Sequence, residues 1–370
     1  MEINRYKVVL IWLLFLPVLG VAQDKENTSH NYSSTKSKVY KVSDNAMIDI
    51  DNKYGDVYFS AWKKDSVKIV VKTTMKAKSS KSLNKLKERV SIDIRGNMGY
   101  VIGKTRFSKN DGSFTGTIRQ QADRARQLFQ TQNITVNYTV YYPESAELRV
   151  VNRYGSVYLP DAVNKLSALV SHGDIRGNTV KNAKRIEGSY GNIYFKTIET
   201  AYVVLNYGDL FLTNSDKLSL TSKSSVINIE EVGQMTIKSK SDRFVIEKAK
   251  SISGSCSYSN FIIRELESYI SLNTKYGSVS LDNIGKSFKT VSLSGSYSDY
   301  ILSFEDGLKC KFNLSLENSK DFSYSGVNAK INTDSTEDDI RLVSGTIGES
   351  PGNSSVNIKS KSAYVRFRQN

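Results

Sequence analysis

The chain has 370 residues, a formal net charge of +15, two cysteines (Cys256 and Cys310) and two histidines (His30 and His172). So few Cys and His exclude a disulfide framework and a clustered zinc site. The basic balance points either to solvated strand faces or to anionic partners such as acidic polysaccharide; no nucleic-acid fold signature accompanies it, and no cognate nucleic acid is expected.

Residues 1–22 read as a secretory signal peptide. Arg5 and Lys7 form a basic start, Val8 to Leu19 is almost wholly apolar, and Gly20-Val21-Ala22 offers small residues before a cut near Gln23. The apolar run is about a dozen residues, short of the roughly 20 that span a bilayer. Export to the periplasm, the outer surface or the medium is expected, with no transmembrane segment in the mature chain. Residues 23–38 read as a polar tail, and 39–64 as a first β unit.

Residues 65–147 are expected to form an antiparallel cap. It would hold a strand at 65–73, a helix at 82–90 with Leu83, Leu86 and Val90 on one face, a strand pair at 91–95 and 100–105, and a strand at 134–142 that stops at Pro143. Such a cap protects a terminal strand from edge-to-edge pairing. The basic loop 104–130 carries Arg119, Arg124 and Arg126, with a short helix expected at 118–129. It is read either as a plain surface loop or as a contact site.

One short pattern dominates the rest. It reads KYGDVYF at Lys53 to Phe59, RYGSVYL at Arg153 to Leu159, SYGNIYF at Ser189 to Phe195, NYGDLFL at Asn206 to Leu212 and KYGSVSL at Lys275 to Leu281. The Tyr position recurs at 154, 172, 190, 207, 224, 241, 258, 276 and 297, mostly in steps of 17 or 18. Six and four residues before it stand pairs such as Ile48/Ile50, Leu148/Val150, Lys184/Ile186 and Ile270/Leu272. Three and five after it stand Val57/Phe59, Leu210/Leu212, Ile227/Ile229 and Phe244/Ile246. Spacing by two is the strand period, and a fixed repeat period marks stacked units. The expected fold is all-β: a parallel β-solenoid over 148–370, with two short strands per 17–18-residue coil. The glycine after Tyr is expected to supply a positive φ at the turn. Val356, Ile358, Val365 and Phe367 repeat the pattern around Ser362. The less regular stretch 309–348 is expected to hold two or three more coils, with Phe312, Leu314, Leu316, Ile331, Ile340 and Leu342 in the core.

No residue is assigned a catalytic, metal or cofactor role. His172 merely takes a Tyr position. The column Asp56, Asp174, Asp209 and Asp299 suggests Ca²⁺ between coils, but Ser156, Asn192 and Val226 interrupt it, and turn chemistry is the better account. Glu230, Glu231, Glu265 and Glu267 are the carboxylates on which a polysaccharide-active enzyme would have to rest. The candidate interaction surface is Tyr154, Tyr190, Tyr207, Tyr258 and Tyr276, with the loop arginines. The parity of these tyrosines matches the inward columns, so a stacked ladder closing one edge of the core is expected. Tyr207→Ala would then open a cavity at about 3–5 kcal/mol. A row exposed to sugar rings is the alternative.

The signal, the Tyr-Gly-Asp/Ser/Asn units and the lead-in strand ITVNYTVYYPESAELRVVNRYGSVYL (Ile134 to Leu159) together resemble the bacterial putative-adhesin family of secreted β-solenoid domains of unknown function, found in Bacteroidetes-type envelope proteins. The resemblance implies a secreted or surface-exposed solenoid and brings no catalytic residues. The functional expectation is a non-enzymatic envelope protein that contacts glycans or envelope macromolecules. The rival expectations are the polysaccharide-active enzyme and a periplasmic structural or stress protein without a ligand.

Overall fold

The computed structural model describes residues 29–108, 133–318, 321–349 and 352–369. The signal at 1–22, the arginines Arg119, Arg124 and Arg126, and the helix expected at 118–129 lie outside the described residues. The rest is all-β, with 24 strands in one mixed hydrogen-bonded sheet and one helix among the described residues.

The N-terminal part begins with β1 (His30–Lys41), β2 (Met47–Lys53), β3 (Val57–Trp62) and β4 (Ser66–Ala77). Then come α1 (Ser80–Arg89), β5 (Val90–Gly96), β6 (Tyr100–Phe107) and β7 (Ile134–Pro143). The Ser79 hydroxyl caps α1 by accepting from the Ser82 N–H, and Leu83 is its one buried residue. The cap is mixed rather than purely antiparallel. β1, β4 and β7 pair antiparallel, as do β5 and β6, but β6 and β7 run parallel to β2 and β3. The cap thus extends the parallel ladder by one layer before folding back on itself. Of the polar segment before residue 39, residues 30–38 are strand: β1 pairs with β4 along its whole length and shows mostly exposed Ser, Thr and Lys. Lysine-rich edges of this kind resist pairing with other chains.

The repeat continues through β8 (Glu147–Arg153), β9 (Val157–Tyr158), β10 (Ala162–Ser171), β11 (Ile175–Arg176) and β12 (Thr179–Ser189). Next are β13 (Ile193–Asn206), β14 (Asp209–Lys223), β15 (Val226–Lys240), β16 (Arg243–Ser257), β17 (Asn260–Ile284) and β18 (Thr290–Phe304). Ile193 pairs with Leu210, Leu210 with Ile227, Ile227 with Phe244 and Phe244 with Phe261, each parallel and each 17 residues on. From β13 to β16 a unit is one strand of 14 or 15 residues, not two short ones. The second bend, near Lys196 to Glu199, skips only those two residues in the ladder, and pairing resumes on both sides. At the Tyr corner the strand is interrupted, yet bonding between units carries through it: the Tyr207 N–H donates to the Lys223 carbonyl and the Ser224 N–H to that of Lys240, both at 3.0 Å.

The inward columns are almost all as the periodicity requires. In the unit around Ser241, Met235, Ile237 and Ser239 precede the corner, Asp242, Phe244 and Ile246 follow it, and all six are buried. The alternation therefore slips by one residue at the corner. Lys184 is an exception: it is exposed, and Ala183 is buried in its place opposite Ala201. The register shifts between Ala183 and Ile186, so the extra residue of this 18-residue unit is taken up as a bulge.

The corner glycines have a different role from the one expected. The left-handed residue is the one before glycine: Tyr154, Tyr190, Tyr207 and Tyr276 have φ of 56–60°. Glycine follows because successive corners touch. A Cβ on Gly191 would overlap the carbonyl oxygen of Gly173, and one on Gly208 that of Gly191.

The C-terminal elements are β19 (Cys310–Glu317), β20 (Phe322–Ser325), β21 (Ala329–Glu337), β22 (Ile340–Ile347), β23 (Ser354–Lys361) and β24 (Val365–Gln369). Residues 309–348 do not add coils in chain order. β18 pairs directly with β23 and β24, β19 lies on the far side of β23, and β22 and β21 follow antiparallel. The last repeat unit is thus inserted beneath a C-terminal hairpin. Reversal of β22 changes which residues face inward: Val343 and Ile347 are buried, Ile331 and Ile340 are half-buried, and Leu342 is exposed. Phe312, Leu314 and Leu316 are core residues as expected. Cys256 and Cys310 are buried free thiols. Burial pushes both up to about 12, with nearby Asp242 adding to the effect at Cys256, so neither is a ready nucleophile at neutral pH.

Candidate functional site

The Tyr corner is an external feature. Tyr154, Tyr190, Tyr207, Tyr258, Tyr276 and Tyr297 are between 40 and 56 % exposed, which overturns the internal ladder. The left-handed backbone at the corner explains the error. It turns the corner side chain outward and hands the inward position to the next residue, so parity carried across the corner fails.

The rings still stack. Tyr54–Tyr154, Tyr154–His172, His172–Tyr190 and Tyr190–Tyr207 have centroids 5.2, 4.8, 4.9 and 5.0 Å apart, with planes within 20° of parallel. His172 is an ordinary rung of this stack. Ser224 and Ser241 then interrupt it. A second stack resumes with Tyr258–Tyr276 at 5.0 Å and Tyr276–Tyr297 at 4.9 Å. Within each stack neighbours cover the ring faces, so the ladder presents ring edges to solvent. With its ring exposed, Tyr207→Ala is expected to cost below roughly 1.5 kcal/mol, one lost stacking contact, rather than a core cavity. A thermal melt of that variant checks this; a loss near 4 kcal/mol would restore the internal ladder.

A second outer row, four residues further on, escaped the sequence reading. Tyr58 stacks on Tyr158 at 4.8 Å, the Arg176 guanidinium lies 4.2 Å from the Tyr194 ring centroid, and Tyr194 stacks on Phe211 at 5.0 Å. The repeated second aromatic in YGDVY, YGSVY, YGNIY and YGDLF was its signal.

Between the two rows runs a relay of hydrogen bonds. The Ser156 N–H donates to Asp56, the Asp174 N–H to the Ser156 hydroxyl, the Asn192 N–H to Asp174 and the Asp209 N–H to Asn192, at 2.8–3.1 Å. This spends the Asp column on joining successive turns. No group of three or more His, Cys, Asp or Glu side chains fit to hold a metal occurs among the described residues.

Cations border the corner. Lys53, Lys223 and Lys275 place their ammonium groups 4.6, 5.5 and 5.5 Å from the ring centroids of Tyr54, Tyr207 and Tyr276. Burial, and then the neighbouring Tyr154, raise the Tyr54 phenol well above its ordinary value. The carboxylates considered for hydrolysis are otherwise engaged or dispersed: Lys248 pairs with Glu265 at 3.7 Å and Glu267 at 2.7 Å, while Glu230 and Glu231 are exposed. A hollow of about 470 Å³ over β18, β19, β22 and β23 has Lys359 as its one ionisable lining residue, so it offers no acid–base pair.

No family model and no curated protein matches the chain. Solved structures similar to it include ones named as putative adhesins and one named as a putative lipid binding protein. A putative adhesin from Parabacteroides distasonis is 10 % identical, with 91 % of this chain and 97 % of that one covered and a TM-score of 0.31. One from Parabacteroides merdae is 11 % identical, with 91 % and 96 % covered and a TM-score of 0.31. A putative lipid binding protein from Parabacteroides distasonis is 12 % identical, with 91 % and 96 % covered and a TM-score of 0.30. Likenesses this distant leave the functional reading to the chain's own residues.

Proposed function

We propose that this is an exported, non-enzymatic β-solenoid of the cell envelope that binds an extended macromolecule, foremost a glycan, along its aromatic corner. In this reading 1–22 is a removed signal, 65–147 caps one end, and 148–370 is the solenoid. Each unit is one coil, and the partner lies along the stack.

The observation that carries the reading is the choice of residue at the corner. A left-handed backbone costs a non-glycine residue roughly 1–2 kcal/mol, and bulky residues suit it worst. Seven tyrosines and one histidine accept it at this corner. Each stacked pair returns only about 0.5–1.5 kcal/mol. Ser224, Ser241 and Ser362 hold the same conformation, with φ of 51–61°, so the turn does not need a ring. The aromatic row therefore gives little net stability, and its presence is best explained by what it touches. A strip repeating about every 5 Å suits a long polymer better than a compact ligand.

A carbohydrate array with the purified chain tests this. The double variant Tyr154→Ser/Tyr190→Ser should melt within a few degrees of wild type and bind the captured glycan much more weakly. Undiminished binding by a folded double variant would remove the ladder from the interaction surface.

A further inference from the structure

The ladder has a gap two rungs wide, and we propose that this gap is a binding slot for the acidic sugar rings of an anionic polysaccharide. The proposal rests on the glycan reading above and names the class of glycan. Ser224 and Ser241 have φ of 51° and 61°, against 56° at Tyr207 and 55° at Tyr258. β14, β15, β16 and β17 stay paired in parallel on both sides of these corners. The backbone of the ladder passes through unbroken, and only the rings are missing. Three strand spacings of roughly 4.8 Å separate Tyr207 from Tyr258, or roughly 14 Å in all. That leaves room for two rings at the ladder's own spacing, between the two tyrosine faces that no neighbouring rung covers.

The slot has a built floor. Asp242, 3 % exposed, accepts from the Ser222 and Ser239 hydroxyls at 2.8 and 2.6 Å and from the Ser225 and Lys240 N–H groups at 2.8 and 3.1 Å. The Ser259 hydroxyl extends the network by bonding to Ser239 at 2.8 Å. Thr274, Ser259 and Ser298 place polar groups at equivalent positions beside tyrosine rungs, but Asp242 is the one buried acidic or basic residue among the described residues, and it lies where the rungs are absent. The network holds the two serine corners in place and turns the nearby carboxylate away from any ligand.

The rim is cationic. Lys223 and Lys240 directly precede the two serines, Arg243 follows the second, and all three are exposed. None of them forms an ion pair among the described residues. The Lys223 ammonium, 5.5 Å from the Tyr207 ring centroid, already lies against the open face. Open aromatic faces call for a ring, and unpaired ammonium and guanidinium groups call for an anion. A uronate unit carries both. Stacked nucleobases repeat at about 3.4 Å, out of step with the roughly 4.8 Å ladder.

The test is calorimetric titration of the full mature chain with hexagalacturonate, maltohexaose and a thymidine hexanucleotide. Hexagalacturonate should bind, more weakly as salt rises, and maltohexaose and the oligonucleotide should bind far less. Ser224→Tyr/Ser241→Tyr fills the slot with rungs the fold carries elsewhere. It should keep its melting temperature and lose affinity by about tenfold or more, the scale of one lost anchor. Lys223→Gln/Lys240→Gln, a purely surface change, should lose affinity and most of the salt dependence, and it decides the matter if the filled variant folds poorly. Unchanged hexagalacturonate binding by a folded filled variant overturns the slot and leaves the wider glycan reading standing. Equal binding of maltohexaose overturns the acidic class, and tighter binding of the oligonucleotide replaces it with single-stranded nucleic acid. A wild-type chain that binds nothing on the array removes both readings.

Discussion

Ile229→Asp is expected to destabilise the fold by roughly 4 kcal/mol or more, enough to unfold much of the repeat at ordinary temperature. Ile229 is 2 % exposed and sits in the ladder between Leu212 and Ile246, which are buried in turn. Truncating such an isoleucine already costs about 2–5 kcal/mol. The carboxylate adds a charge with neither water nor a donor at hand, since the inward neighbours on both sides are aliphatic. Each unit is stabilised chiefly by its neighbours, so the damage should spread along the stack rather than stay local. Asn228→Asp, one residue away on the outward side, is the control and should change stability by no more than about 0.5 kcal/mol. Urea melts of the pair separate the outcomes. An Ile229→Asp protein that melts like wild type would show the inward columns to be misassigned.

The repeat was legible because it is carried by apolar residues whose only task is to be buried. Ile227 and Ile229 lie between Leu210/Leu212 and Phe244/Ile246 as the period requires. Legibility failed where one residue was counted wrongly. At Lys184 an 18-residue unit meets a 17-residue one, and pattern alone does not say where the surplus goes; the bulge puts it beside Ala183. At the Tyr corner the left-handed residue shifts the phase, so a column with inward parity faces water. Glycine drew attention to itself as the permissive residue, yet the constraint it answers is the carbonyl of the preceding corner, a contact between units that no single repeat displays.

The C-terminal exchange was hidden for another reason. Periodicity records which face of a strand is buried and is silent about neighbour order, so the insertion of β23 between β18 and β19 left no trace in it. The candidate site was half visible. The tyrosines are legible from their recurrence, whereas nothing in the repeat pattern marks the gap at Ser224 and Ser241 as a site. Its meaning depends on Asp242, whose side chain collects donors from two successive units.

Asp242→Ala should be the most costly polar substitution in the repeat, at roughly 3–5 kcal/mol. It removes the one acceptor shared by the Ser225 and Lys240 N–H groups and the Ser222 and Ser239 hydroxyls. A buried donor left without a partner costs about 1–3 kcal/mol. The hydroxyls can rotate towards other acceptors, whereas the two backbone N–H groups cannot, and this keeps the total below a simple sum. Asp242→Asn separates charge from shape. Its amide oxygen can keep one backbone donor, and its NH₂ can donate to the serine oxygens, but the second backbone N–H then faces a donor. A loss of about 1–3 kcal/mol is expected, between wild type and the alanine variant. Hydrogen exchange supplies the local readout: the Ser225 and Lys240 amides should lose protection in Asp242→Ala before the amides of β13, which lie outside the network. If Asp242→Ala melts within about 1 kcal/mol of wild type, the buried carboxylate is not what holds these corners, and the rigid floor assigned to the gap in the ladder goes with it.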